Sequence, residues 1–440
     1  MTVKGIRTLI DRRKFIELTA IGGGAFVISS LPGCGPREAH SGRGFTKEGL
    51  SRMHETMAGY VGNGKVPGLV TLVSRRGETH VEALGVKTLG DPAPMTRDTI
   101  FRIASMTKPV TAVATLILVE EGKVRLDETV ERLLPELANR RVLKNVDGPL
   151  NETVPAKRPI TVNDLLTFRM GFGLLFPMDS RPIQKAANSL GVGIGPPQPG
   201  SVPEPNEWIR RFATLPLMSQ PGEQWLYNTG SDLLGILISR ASGQDLETFF
   251  RERIFDKLGM KDTSFSVPAE TVNRLPTSYL ANPQTHTLDV YDKPQAQWSR
   301  VPAFPSGAGG LVSTVDDYLL FARMLLSQGQ YDGGQIVSAQ SVDQMTSDHL
   351  TPQQKSVSGF FPGFFDNRGW GFGVSMITRP DSVTSVPGRY GWDGGLGTTW
   401  FNDPAQDLVA ILMTQRALGD EAWSGPAFEK AVYAAIDTSE

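Results

Sequence analysis

Apolar residues first recur at helical spacing in Leu50, Met53, Met57, Tyr60 and Val61, which predicts an amphipathic helix over about 46–62. Pro67-Gly68 closes it. Leu69 to Val73 then reads as a strand, Arg76-Gly77 as a turn and Thr79 to Leu84 as a returning strand. Val110 to Glu121 is nearly all apolar and is closed by Gly122, which predicts a buried core helix too short to span a membrane. Asn163 is expected to cap a short helix running through Phe168. Residues 191–206, with Pro196, Pro197, Pro199, Pro203 and Pro205, read as a loop. Ser231 to Ala241 and Leu246 to Leu258 read as helices. Ser313-Thr314-Val315-Asp316 reads as a capping box before a helix over Tyr318 to Leu326. Strands return over Gly371–Ile377, Thr398–Asn402 and Leu408–Thr414, and a helix over Ala427–Ile436 follows.

Strands thus lie towards both ends and helices in the middle. The expected fold class is α+β: one antiparallel sheet built from both chain ends, with flanking helices and an inserted, mostly helical region. The expected organisation is a main domain over 45–436, with an α/β part at about 45–100 and 295–436 and a helical part at about 101–294. There is no internal repeat.

The first 34 residues read as an address rather than as part of the fold. Lys4, Arg7, Arg12, Arg13 and Lys14 make a basic start, and a mildly apolar stretch runs from Phe15 to Leu31. Arg12-Arg13-Lys14-Phe15-Ile16 resembles a twin-arginine export signal. Leu31-Pro32-Gly33-Cys34 resembles a bacterial lipobox, in which Cys34 would be lipidated and residues 35–44 would form a tether. The expectation is an exported protein, periplasmic or at the cell surface, handled by export machinery and held on a membrane by a lipid anchor.

Composition narrows the chemistry. The 440 residues carry 44 basic and 46 acidic side chains, a balance that gives no general attraction for nucleic acid. The single cysteine allows no internal disulfide and no cysteine-built metal site. The five histidines, His40, His54, His80, His286 and His349, include no pair at metal-ligand spacing. No metal or organic cofactor is expected. There is no Gly-x-Ser-x-Gly elbow, and the histidines stand in polar, loop-like contexts, so a Ser-His-Asp triad is not the expected chemistry.

Ser105 and Lys108 offer another route. Three residues apart at the start of the most apolar helix, they share one face. A serine hydroxyl needs a group to take its proton. A lysine buried in a core loses ammonium solvation, so its pKa falls and it can serve as that group.

Phe101-Arg102-Ile103-Ala104-Ser105-Met106-Thr107-Lys108, Pro221-Gly222-Glu223-Gln224-Trp225-Leu226-Tyr227 and Gly309-Gly310-Leu311-Val312-Ser313-Thr314 together resemble the serine β-lactamases and penicillin-binding proteins. The likeness is closest to the class C β-lactamase-related hydrolases and the family VIII carboxylesterases, and it covers most of 45–436. The resemblance implies a catalytic set of Ser105, Lys108 and Tyr227, with the N–H groups of Ser105 and Gly395 as the oxyanion hole. Tyr227 acts as a base only where cations such as Lys108 lower its pKa, so either Tyr227 or Lys108 could be the principal base.

Two departures bear on substrate. The family's Tyr-x-Asn is Tyr227-Asn228-Thr229 here, so either Asn228 or Thr229 fills the amide-binding role. The third motif, Lys-Thr-Gly or His-x-Gly in relatives, is Trp392-Asp393-Gly394. Asn228, Trp392, Asp393 and Gly394 are the expected substrate-binding residues. Without the motif's cation, a carboxylated β-lactam or peptide loses a charge-assisted contact worth roughly 1.5–3 kcal/mol. A neutral ester or amide loses nothing. The expected function is therefore an esterase-like serine hydrolase, with a weak β-lactamase or D-amino acid peptidase as one alternative and a non-catalytic surface lipoprotein as another. Phe172, Phe176, Trp208, Phe360, Phe361, Phe364 and Phe365 either line an acyl pocket or cover the core.

Overall fold

The computed structural model describes residues 44–193, 195–384, 386–418 and 423–438. Arg12, Arg13, Cys34 and tether residues 35–43 lie outside them.

The framework is an eight-stranded sheet. Its strands are β1 (Gly68–Arg75), β2 (Glu78–Thr88), β3 (Asp91–Pro94), β4 (Arg368–Trp370), β5 (Ser375–Ile377), β6 (Tyr390–Gly394), β7 (Thr398–Asp403) and β8 (Leu408–Thr414). Their order is β4-β5-β6-β7-β8-β1-β2-β3. Every pairing is antiparallel, and β1 meets β8 with Leu69 opposite Thr414. Early and late segments of the chain therefore close one sheet, in agreement with the expected fold class.

Period-two alternation divides β1 between two cores. Val70 and Leu72 face the large core, whereas Leu69 and Val73 face a smaller one on the reverse side. Two helices cover that reverse side, α1 (Lys47–Gly62) through Met53 and Met57, and the late helix Gly425–Ala435 through Phe428 and Val432. They come so close that a Cβ on Gly49 would lie 2.4 Å from the Cα of Ala435.

On the other side lies α2 (Thr107–Glu120), buried from Thr107 to Leu118 and packed against α3 (Thr229–Ser242). It starts three residues earlier than its apolar run suggests. Pro109 stands in the first turn, where an N–H has no helical partner to lose. No helix among the described residues is long and apolar enough to cross a membrane.

Several local expectations are corrected. Thr161, not Asn163, caps the short helix Val162–Leu166, in a reciprocal box with Asp164. The loop at 191–206 ends earlier, because Pro205 opens the helix Pro205–Ala213 behind the Glu204 cap. The helix from Leu246 contains a π turn over Arg251–Phe255. Thr314 caps α4 (Val315–Leu326), but the Asp317 carboxylate turns to the Asp262 N–H and the Thr263 hydroxyl instead of closing the box. The apolar run at 371–377 is no single strand. Its first residues turn the chain from β4 into β5, with Gly373 at φ 69° against the Lys108 carbonyl.

Candidate active site

Ser105 occupies the middle of a short 3-10 turn, Ala104–Met106, that feeds directly into α2. Two contacts and one backbone conformation mark this turn. The Arg102 guanidinium before it is buried against Asp292, with Nε 2.9 Å from Oδ2. The Tyr318 hydroxyl after it donates to the Met106 carbonyl at 2.9 Å. Ala104 is held at φ 42°, a left-handed conformation that costs a non-glycine residue about 1–2 kcal/mol. The turn around Ser105 is held tightly, while its own side chain stays partly exposed.

One turn along, Lys108 is fully buried. Its Nζ lies 2.8 Å from Ser105 Oγ and 2.5 Å from the Ala308 carbonyl oxygen. It also sits 4.5 Å from the centroid of the Tyr227 ring. Burial lowers the Lys108 pKa to about 7, against the opposing pull of the Asp232 carboxylate. An amine poised between its two protonation states beside a serine hydroxyl is a nucleophile and base pair.

Tyr227 enters from the segment before α3. Its hydroxyl bonds to Ser105 and accepts the Trp392 indole N–H at 2.8 Å. Burial pushes its pKa well above the ordinary value, and the Asp393 charge adds to that. The cation-induced lowering expected for Tyr227 is not what this environment produces. Desolvation makes the phenol a proton donor and the lysine the easier base.

Asp232, on the first turn of α3, belongs to none of the three motifs. Its Oδ1 accepts the Ser306 hydroxyl at 2.6 Å and the Ala308 N–H at 3.2 Å. Ala308 in turn offers its carbonyl to Lys108. Asp232 thus fixes the loop that holds the amine and contributes a negative charge to it. Its only sequence signal is its place at a helix start five residues after Tyr227, and only contact with the 306–308 loop gives it meaning.

The third-motif strand runs beside the Ser105 turn. Gly394 is buried, and a Cβ there would lie 2.2 Å from the Ile103 carbonyl oxygen. It is a close-approach residue, with no room for substrate. Gly395 follows in the open, with space where a Cβ would point. No loop or turn partner among the described residues takes its N–H.

The other expected binding residues divide between faces. Trp392 is buried and spends its indole N–H on Tyr227, so it holds that hydroxyl in place. Asp393 points to the opposite sheet face. It stands opposite Thr399, which stands opposite Leu412 of the reverse core, and its Oδ1 accepts the Thr399 hydroxyl at 2.6 Å. Asp393 is therefore not placed to touch a substrate on Ser105. Asn228 is half-buried at the N-cap of α3, and its side chain makes no cap hydrogen bond. Thr229 is buried, with a hydroxyl that finds no partner.

The loop aromatics also separate. Phe172 and Trp208 belong to the main core, and Phe364 and Phe365 are buried in a separate aromatic cluster with Trp225, Tyr227 and Trp392. Phe176, Phe360 and Phe361 keep partial or full exposure.

A nucleophile turn ahead of a buried helix, an amine one turn on and a phenol from the next segment define a class, the serine acyl-transfer enzymes with lysine and tyrosine partners. The Beta-lactamase family profile matches residues 53–433, and the chain belongs to that family. It is a serine hydrolase. Over 359 residues it is 39% identical to Protein Rv1367c of Mycobacterium tuberculosis, covering 80% of this chain and 86% of that one. It is 30% identical over 391 residues to Esterase EstB of Burkholderia gladioli, with 84% and 91% covered. It is 30% identical over 395 residues to Lovastatin esterase of Penicillium rubens, with 83% and 93% covered. Its fold is similar to that of the solved structure described as "EstCE1, a hydrolase with promiscuous acyltransferase activity", at a TM-score of 0.74 and 23% identity, covering 88% of this chain and 99% of that one.

Proposed function

We propose that the protein hydrolyses esters of neutral small molecules through an acyl-enzyme on Ser105. The observation that carries this reading is the buried Lys108 amine 2.8 Å from Ser105 Oγ. As neutral amine it takes the serine proton while Oγ bonds to the substrate carbonyl carbon. The N–H groups of Ser105 and Gly395 receive the oxyanion. When the carbon–oxygen bond breaks, Tyr227 gives its proton to the departing alkoxide and regains one from the Lys108 ammonium. Water then attacks the acyl group. Its proton passes to the same pair, Ser105 Oγ is reprotonated and the carboxylic acid leaves. Asn228 borders the substrate.

Preference for a neutral substrate rests on Trp392, at the place where the β-lactamase motif that the sequence resembles has a cation. Two similar proteins named as esterases support ester over β-lactam chemistry. A fluorophosphonate should label Ser105 of the purified protein, and Ser105→Ala should abolish ester turnover. A folded protein with no label at Ser105 ends this reading. Nitrocefin turnover equal to that of a short-chain ester would favour a β-lactamase instead. A surface-binding protein without catalysis has no need of the Ser105, Lys108 and Tyr227 geometry.

Export and anchoring belong to the same proposal. Their support is the order of basic, apolar and small-residue zones in 1–34, with Arg12-Arg13 as the signal and Cys34 as the lipid site. Replacing Arg12 and Arg13 with lysines should leave the protein in the cytoplasm. Unchanged export overturns the twin-arginine assignment.

A further inference from the structure

Tyr227 touches five other aromatic rings: Phe168, Trp225, Phe360, Trp370 and Trp392. Four of them are sealed in the protein, each no more than 7% exposed. Phe360 differs, being half-buried, with its ring 5.1 Å from that of Tyr227 and 6.2 Å from that of Trp392. Its outer neighbour is Phe176, 6.1 Å away and 48% exposed. A path of rings therefore runs from the Tyr227 ring to the surface. Where it emerges, four large apolar side chains are exposed on two adjoining segments: Phe176, Met178, Val357 and Phe361. An exposed apolar cluster of this kind calls for a ligand.

The direction of this path assigns the bound group. The alkoxide released from the tetrahedral intermediate must come within hydrogen-bond reach of its proton donor, about 2.6–3.2 Å. The donor is Tyr227, so the alcohol carbons leave along the surroundings of Tyr227 that remain open. Among the rings around Tyr227, the open ones are Phe360 and then Phe176.

We propose that Phe360 and Phe176 form the alcohol-side wall of the cleft and select esters whose alcohol is bulky and aromatic. The wall rests on the acyl-enzyme reading above and adds a substrate class to it. Aromatic faces and edges give such an alcohol offset and edge-on contacts that a short alkyl alcohol cannot make.

The test is a ratio, so that a common loss of activity cancels. Specificity constants are measured for 2-phenylethyl acetate and ethyl acetate with the wild-type protein, Phe360→Ala and Phe176→Ala. The wild-type should prefer the phenylethyl ester. Phe360→Ala should lower that preference roughly tenfold, the lower end of the discrimination that an apolar pocket provides. Phe176→Ala, a change at an exposed ring, should lower it in the same direction and keeps the test open if Phe360→Ala fails to fold. An unchanged alcohol preference in both variants overturns the wall. So does a change confined to an acyl series, such as ethyl acetate against ethyl hexanoate, because the rings would then line the acyl side. Ester turnover by a protein labelled at Ser105, with no alcohol preference, overturns the wall alone. Absence of both label and turnover overturns the acyl-enzyme reading as well.

Discussion

The indole N–H of Trp392 donates to the hydroxyl of Tyr227 at 2.8 Å, from a strand 165 residues further along the chain. The bond positions the phenol oxygen, which Tyr227 also holds in a hydrogen bond with Ser105. Trp392→Phe keeps the aromatic packing and removes the donor. The expected result is a fall in kcat of roughly 10–100-fold, as for the loss of one orienting hydrogen bond in a buried site. Steady-state kinetics at fixed pH reads this directly, and an unchanged kcat would remove Trp392 from the proton path.

Lys108 sets a pH dependence. Its folded pKa of about 7 lies below the ordinary 10.5, so the neutral base accumulates as pH rises through about 7. Acylation by the wild-type protein should therefore lose rate below pH 7. Lys108→Arg, always protonated, should lose at least about a thousandfold. Stability has the matching sign. Between about pH 7 and 10.5 the unfolded chain holds a proton that the folded one has released, so this group makes folding more favourable as pH rises through that window. The cost of burying the ammonium is fully present below pH 7. A Lys108→Met variant should lack that component when denaturation midpoints are followed against pH.

Asp232 opposes the fall in the Lys108 pKa. In Asp232→Asn the acid limb of kcat/KM should move to lower pH, because a charge favouring the ammonium is gone. The peak rate should also drop, since the 306–308 loop loses part of its anchor. A purely structural role would lower the rate and leave the limb where it was.

Gly394 supports the site by having no side chain. A Cβ there would meet the Ile103 carbonyl at 2.2 Å and the Thr398 hydroxyl at the same distance. Gly394→Ala must push the strand off the Ser105 turn. It should cost about 1–3 kcal/mol of stability and reduce kcat more than it changes KM. Calorimetry and kinetics on one preparation separate the two effects.

Arg102 and Asp292 are 2% and 1% exposed, respectively, in their side chains. Arg102→Met leaves a buried carboxylate unpaired beneath the nucleophile turn. The expected loss is about 3–5 kcal/mol, visible in urea denaturation. A change under about 1 kcal/mol would show that Asp292 finds another partner or protonates.

The helices that carry chemistry are legible wherever an apolar run is long and closed by glycine. The run before Gly122 marks α2, and a similar one marks α3. Their first turns are less legible, because Pro109 and Thr229 do not extend an apolar pattern. The cap falls on Thr161 rather than Asn163 because several neighbouring side chains could serve, and only the backbone path decides between them. The 371–377 run reads as one strand, since a pattern of apolar residues cannot reveal a turn that Gly373 allows.

By itself the sequence determined the Ser105–Lys108 spacing ahead of a buried apolar helix and the succession of most strands and helices, and its resemblance to the family motif implied a tryptophan in place of a cation at position 392. These are local facts, carried by residues a few positions apart. Tertiary structure alone decided which way each third-motif side chain points, since β6 turns Trp392 towards Tyr227 and Asp393 to the reverse face. It also decided that Asp232 governs Lys108 through a loop more than 70 residues away, and that burial raises Tyr227 while lowering Lys108. Desolvation and long-range hydrogen bonding depend on what the rest of the chain packs against a group, and no short stretch of sequence contains that information.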